Sequence, residues 1–354
     1  MGAVAPSAPG AARSRDRVRL VGFERAVALV EERGAPAQLC VLRDGGVVVD
    51  VAVNCRPDAL FWLFSASKPY AALMVHQLAA DGALALDDPV AAHWPGFARN
   101  GKGAVTVRQV LQHRSGVAFG RSALSDVLAM SSWDRSIRAI EAARPRWPPG
   151  AVPAYHYLTY GFILGELVRR VSGMPVAAYL RAALLDPLGL DETYLGLPDD
   201  AWGRRVPIRG VPPVRAVLNR RASWTSVIPG AGVATTARDL ARFYQGLLDG
   251  TVDVTEAVRP STSEGEIDRV LRLPMRWAQG FQLGGPSTAP AARQPLGVRS
   301  SPRAFGHNGS YACLGWADPT RRLAFGYVTP VFPVTAAGAG HVGRVSDAVL
   351  SAGD

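Results

Sequence analysis

Ser65 and Lys68, in the stretch FSASKPY over residues 64–70, are the pair in this sequence best suited to covalent chemistry. Residues three apart on a helix share a face, with Cβ atoms about 5–6 Å apart. A serine hydroxyl is a weak nucleophile until a neighbour takes its proton. A lysine can do so once burial has lowered its affinity for its own proton. Composition singles the lysine out: of 39 basic residues in 354, only Lys68 and Lys102 are lysines. Phe61, Trp62, Leu63 and Phe64 before the pair, and Pro69, Tyr70 and Ala71 after it, predict burial, where an unpartnered lysine is costly. Ser67 is adjacent to Lys68 and faces elsewhere. A position near a helix N-terminus also surrounds Ser65 with amide dipoles that stabilise an oxyanion.

Two further stretches carry candidates. In PGAVPAYHYLTYGFILGELVRR a turn at Pro149-Gly150 precedes Tyr155, read as opening a helix. A phenol beside an ammonium titrates below its usual value of about 10 and can act as a base; the plainer alternative is a packed aromatic with a wet hydroxyl. In RAFGHNGSYACLGWADP, Gly306 and Gly309 bracket His307-Asn308 ahead of a strand. Glycine there allows close backbone approach, and a strand edge passing Ser65 would offer the Ser310 N–H as a second oxyanion donor. A glycine-rich turn into a hairpin is the alternative. Trp62, Trp224, Tyr311 and Trp316 are candidates for an acyl pocket, with core packing equally suited to Trp316. His113 reads as a structural residue at a helix end.

These residues need elements to hold them. FERAVALVEERG has helical spacing and a Gly34 stop. AQLCVLRDGGVVVDVAV reads as a hairpin turning at Asp44-Gly45-Gly46, and YACLGWADPTRRLAFGYVTPV as two strands around a turn at Asp318-Pro319. A helix from about His341 to Leu350 closes the chain. The middle is amphipathic helices with glycine ends, one carrying Thr236 and Asp239 at capping-box spacing. The expected architecture is α+β in two parts: an antiparallel sheet flanked by helices, built from residues 17–61 and 295–354, and a mostly helical domain over 62–294, with the site between them. Residues 1–16 read as a disordered tail.

Charge is +10, but the arginines are scattered, which argues against nucleic-acid binding. Cys40, Cys55 and Cys313 have neither disulfide nor zinc spacing. The histidines form no metal-like cluster, and Gly338, Gly340 and Gly343 lack room for a dinucleotide-binding unit. No secretory signal or membrane-length apolar run is seen, so a cytoplasmic location is expected.

Ser65-Ala66-Ser67-Lys68, Tyr155-His156-Tyr157 and His307-Asn308-Gly309, in that order, resemble the three motifs of the serine β-lactamase and penicillin-binding-protein superfamily. The closest likeness is to its family VIII carboxylesterases, related to class C β-lactamases. LDDPVAAHWPGF, VTVRQVLQHRSGV and IPGAGVATTARDLARFYQGL extend it over residues 20–350. The resemblance implies that Ser65 is acylated, Lys68 is its base partner, Tyr155 relays protons, His307 lies beside the substrate, and the amides of Ser65 and Ser310 form the oxyanion hole. No metal or organic cofactor is implied. Two departures stand out. Tyr157 replaces an asparagine, and His307 replaces a lysine whose fixed charge would hold a β-lactam carboxylate. A small-molecule ester or acyl substrate is therefore expected, with acyl transfer to an alcohol, β-lactamase or DD-peptidase activity, and a non-catalytic scaffold as alternatives.

Overall fold

Nine strands form two sheets in the structure, a computed structural model that describes residues 22–333 and 335–354. The strands are β1 (Ala37–Arg43), β2 (Gly46–Val53), β3 (Phe61–Trp62), β4 (Tyr194–Leu195), β5 (Val233–Thr235), β6 (Gln282–Leu283), β7 (Phe305–Gly309), β8 (Cys313–Asp318) and β9 (Leu323–Val328). The main sheet has the order β2-β1-β9-β8-β7-β6, and a small one has β3-β5-β4. All named pairings are antiparallel. Asp44 and Gly45 both take positive φ, as a two-residue hairpin loop requires, and Arg43 pairs with Gly46. The tail read as disordered, residues 1–16, lies outside the described residues.

Helices cover both faces of the main sheet. Glu24–Glu32 packs against the closing helix Ala336–Gly353, which is longer than the sequence suggested. Beneath them lies a core that includes Phe23, Leu39, Val41, Trp316, Phe325, Tyr327 and Val345. On the other face, Ala237–Leu248 lies across β9, β1 and β8. Glycines permit this approach: a Cβ on Gly326 would fall on the Ala237 carbonyl, and one on Gly315 on the Tyr244 ring. Thr236 caps this helix by accepting from the Asp239 N–H, whereas the Asp239 carboxylate turns away to Glu192 N and Thr193 Oγ1. Both this helix and β6 come from the 62–294 segment yet belong to the sheet layer, because α/β packing buries the Leu240, Ala241 and Tyr244 face against β8 and β9.

The second core joins this layer to the remaining helices, chiefly Lys68–Ala80 against Thr159–Ser172. Cys40, Cys55 and Cys313 are free thiols. Among the described residues no helix is long and apolar enough to cross a membrane.

Candidate active site

Ser65 lies in a 3₁₀ turn, Phe64–Ser67, that runs straight into the helix Lys68–Ala80. The first hydrogen bond of the turn goes from Ala66 N–H to Leu63 O at 3.1 Å. Ser65 N–H therefore precedes the first internal donor and has no acceptor in the turn. Phe64 holds φ at +51°, a left-handed state unusual for so bulky a side chain, and its ring packs on Phe332 at 5.9 Å. Ser67 faces away from Ser65 and accepts from Val233 N–H at 3.1 Å, tying the turn to β5.

The Lys68 side chain is fully buried. Its Nζ is 3.3 Å from Ser65 Oγ and donates to Tyr157 O at 2.7 Å and Gly230 O at 3.2 Å. Burial pushes its pKa down to about 7. A neutral amine has two N–H bonds and one lone pair. The two carbonyls take the N–H bonds, which leaves the lone pair for the Ser65 hydroxyl. Gly230 is set by contact with Thr159–Ser172, where a Cβ on Gly161 would fall on the Gly230 amide nitrogen.

Tyr155 sits in the loop before Thr159 and not at a helix start. Its phenol pairs with Ser65, but burial dominates and pushes its pKa above the usual value. The expectation of a lowered phenol pKa is thus reversed. Lys68 Nζ stands over the face of the ring, 4.8 Å from its centroid, where the attraction is to the π cloud. Tyr155 keeps its proton, and Lys68 is the group able to give one up.

The ring is clamped by Trp277, stacked at 5.4 Å, and by His113 at 4.8 Å. Asp268, which the sequence reading missed, holds the assembly. Fully buried, it accepts from Tyr155 N–H (3.2 Å), Val270 and Leu271 N–H (2.9 Å each) and the Trp277 indole (3.0 Å). His113 is structural, as expected. It is buried at φ +58°, accepts from His156 N–H at 3.2 Å, and is held neutral by burial.

β7 supplies the opposite wall. A Cβ on Gly309 would fall on Leu63 O, so the glycine lets β7 close on the chain just before Ser65. Ser310 and Tyr311 then turn through left-handed φ of +51° and +53°, braced by Tyr311 N–H donating to Asn308 Oδ1 at 3.2 Å. His307 is buried, and its Nδ1–H donates to Asn308 O at 2.7 Å. Nε2 is left as a buried lone pair without a partner among the described residues. Burial, helped by the charge of Lys68, pushes the His307 pKa down to about 3.

The aromatic candidates divide. Tyr157 is 41% exposed and stacks on Phe119 at 5.5 Å, and Tyr311 is half-buried. Trp62 and Trp224 instead pack edge to face on each other at 5.2 Å within the core, and Trp316 stacks on Phe325 at 4.9 Å in the other core. The structure therefore puts both indoles of the Trp62–Trp224 pair in core packing.

A model of the family described as beta-lactamase matches residues 25–347. The esterase/beta-lactamase LipL of Mycobacterium tuberculosis (strain ATCC 25618 / H37Rv) is 27% identical over 340 residues, 82% of this chain and 76% of that protein. A putative D-alanyl-D-alanine carboxypeptidase of Escherichia coli (strain K12) is 24% identical, over 79% of this chain and 71% of its own. The crystal structure of a family VIII carboxylesterase superposes with a TM-score of 0.80 at 27% identity, covering 93% of this chain and 96% of that one. Together with the sheet order and the helix layers, these likenesses place the fold, and the chain belongs to the beta-lactamase family.

Proposed function

We propose that the protein is a carboxylesterase that cleaves small or medium acyl esters through an acyl-enzyme on Ser65. Ser65 Oγ attacks the ester carbonyl as its proton moves to the Lys68 lone pair. The N–H groups of Ser65 and Ser310 receive the oxyanion. Tyr155, paired with Ser65 and still protonated, relays a proton to the departing alkoxide, which leaves as the alcohol. Water then attacks the acyl-Ser65 carbonyl by the reverse proton path, releasing the acid and restoring Ser65. The observation that carries this reading is the fully buried Lys68, with Nζ between Ser65 Oγ and two carbonyls. The names of LipL and of the carboxylesterase structure agree with it.

Turnover of p-nitrophenyl butyrate by wild type and Ser65→Ala, with intact mass recorded during the reaction, tests it. Turnover and a butyryl adduct in wild type only are expected; absence of both from folded wild-type protein refutes it.

His307 favours esters over β-lactams and D-alanyl peptides, because a neutral ring offers a carboxylate no fixed charge. It is equally compatible with transfer of the acyl group to an alcohol, and product analysis with an added acceptor alcohol decides between water and alcohol as the second nucleophile.

A further inference from the structure

Seven large hydrophobic side chains stand exposed among the described residues, and four of them lie in segments that meet beside the catalytic site: Tyr157 (41% exposed), Leu124 (70%), Leu128 (55%) and Ile267 (45%). Leu124 and Leu128 are one turn apart on the helix Ala123–Ala129, which turns Val127 towards the core and has no buried residue. The stretch before this helix reaches Tyr157 through Phe119, whose ring stacks on it at 5.5 Å. Arg146 fastens that stretch: its guanidinium stands 4.8 Å over the Phe119 ring and donates to Arg121 O at 3.0 Å. On the other flank, Ile267 precedes Asp268, which accepts from Tyr155 N–H at 3.2 Å, and Arg269 N–H donates to Pro153 O at 2.9 Å.

The same two stretches, 119–146 and 264–272, carry seven arginines, all exposed and none in an ion pair among the described residues. Their six carboxylates do not balance them. Asp126 accepts from the Gly120 and Arg121 amides, Glu141 from the Trp94 indole and Glu266 from Arg114, while Asp268 is buried; Asp134 and Glu264 are the exposed ones. The arginines are far apart in sequence, and the fold gathers them on one rim. A single exposed leucine needs no explanation, but leucines grouped among unpaired arginines make an interaction surface. An acidic protein or a nucleic acid would engage the arginines alone. A bilayer engages both, with phosphates on the guanidinium groups and acyl chains on the leucines.

We propose that this rim docks the protein on an anionic phospholipid surface. Leu124, Leu128 and Ile267 enter the boundary between headgroups and acyl chains, the arginines meet the phosphates, and the exposed side of Tyr157 faces the bilayer. Docking is independent of the acyl-enzyme reading, so a chain without the Ser65 hydroxyl docks equally well.

The full chain, as wild type and Ser65→Ala, is sedimented with sucrose-loaded vesicles of phosphatidylcholine alone or mixed with phosphatidylglycerol. Two double variants alter the rim: Leu124→Gln with Leu128→Gln, and Arg121→Glu with Arg269→Glu. A third, Arg25→Glu with Arg322→Glu, makes the same change of charge at exposed positions on the first helix and in the β8–β9 turn. Circular dichroism confirms the fold of each. Wild type and Ser65→Ala are expected to bind the mixed vesicles, less so as salt rises, and phosphatidylcholine alone about tenfold or more weakly. Each rim variant should bind the mixed vesicles about tenfold or more weakly, and the third variant within about threefold of wild type at physiological salt, where screening over about 8 Å keeps the effect local. Four results overturn the proposal. Folded wild type could fail to bind mixed vesicles. The rim arginine pair could bind as well as the third variant, which would make adsorption a matter of net charge. The leucine pair could bind as wild type does, which would mark an ionic surface for an acidic protein or a nucleic acid. Ser65→Ala could lose binding, which would make it capture of lipid by the catalytic cleft.

Discussion

The proton on Lys68 offers the sharpest test. With a pKa of about 7 in place of the ordinary 10.5, the amine is about 90% neutral at pH 8, against about 0.3% for an unperturbed lysine. Because kcat/KM reports the free enzyme, it should rise about tenfold between pH 6 and pH 8 for p-nitrophenyl butyrate and then level off. The buried histidines of the site do not supply that limb: His156 and His307 are each pushed down to about 3. A direct reading is available because the chain has two lysines. Labelling lysine at Cε gives two signals to titrate by NMR, and Lys102→Arg assigns them. A flat profile through this range, a limb near 10, or a Lys68 signal still that of an ammonium at pH 8 would rule out Lys68 as the titrating base. Stability carries the same proton. The unfolded chain holds it up to about 10.5 while the folded one releases it from about 7, so this group makes stability rise with pH across that window.

Three other outcomes follow from the contacts. Tyr155→Phe should lower kcat by about 10²-fold or more and leave the limb near 7 in place; loss of the limb would move the base assignment from Lys68 to the phenol. Asp268→Ala strands four N–H donors, those of Tyr155 and the Trp277 indole buried, and should cost about 3 kcal/mol or more in thermal denaturation; a change within about 0.5 kcal/mol would mean that the carboxylate is not what holds Tyr155 and Trp277. Gly161→Ala drives a Cβ onto Gly230 N and so displaces a carbonyl from Lys68, with an expected loss of about tenfold or more in kcat/KM and a moved pH limb; wild-type values for both would show that the helix contact does not set Gly230.

What the sequence disclosed was whatever is written in short range. Ser65 and Lys68 are three residues apart, and Asp44-Gly45 can take only a few backbone states, so the pair and the hairpin are both readable. His307, Gly309 and Ser310 come to the site because one strand and its turn carry all three. The undisclosed part is long-range or made of backbone. Asp268 is 113 positions from Tyr155 and has no local signature. The acceptors that orient Lys68 are peptide carbonyls at 157 and 230, which any residue could supply; the only trace in the sequence is the pair of glycines, Gly161 and Gly230, that allows the chains to touch. The sign of the Tyr155 shift also needed three dimensions, since it depends on burial exceeding the Ser65 hydrogen bond. Trp62 and Trp224 looked alike as pocket and as core, and only their mutual packing separates the two.

The two lysines differ in one partner, and in the proposed mechanism that partner is what lets a buried amine serve as a base and not only as a fastener. Lys102 is also buried, and its Nζ donates to the carbonyls of Arg99 (2.7 Å), Glu141 (2.9 Å) and Ala143 (2.6 Å). Burial lowers both pKa values, Lys102 to about 8 and Lys68 to about 7. Three carbonyls can only accept, so a neutral Lys102 would turn its lone pair against an oxygen lone pair; its surroundings suit the ammonium alone. At Lys68 the third partner is the Ser65 hydroxyl, which accepts from the ammonium and donates to the amine. Both protonation states are therefore hydrogen-bonded in the same geometry, and the proton can move between Nζ and Oγ without rearrangement of the site. Burial alone does not single out Lys68, because Lys102 has it too. The hydroxyl within reach does, and it comes from the S-x-x-K spacing.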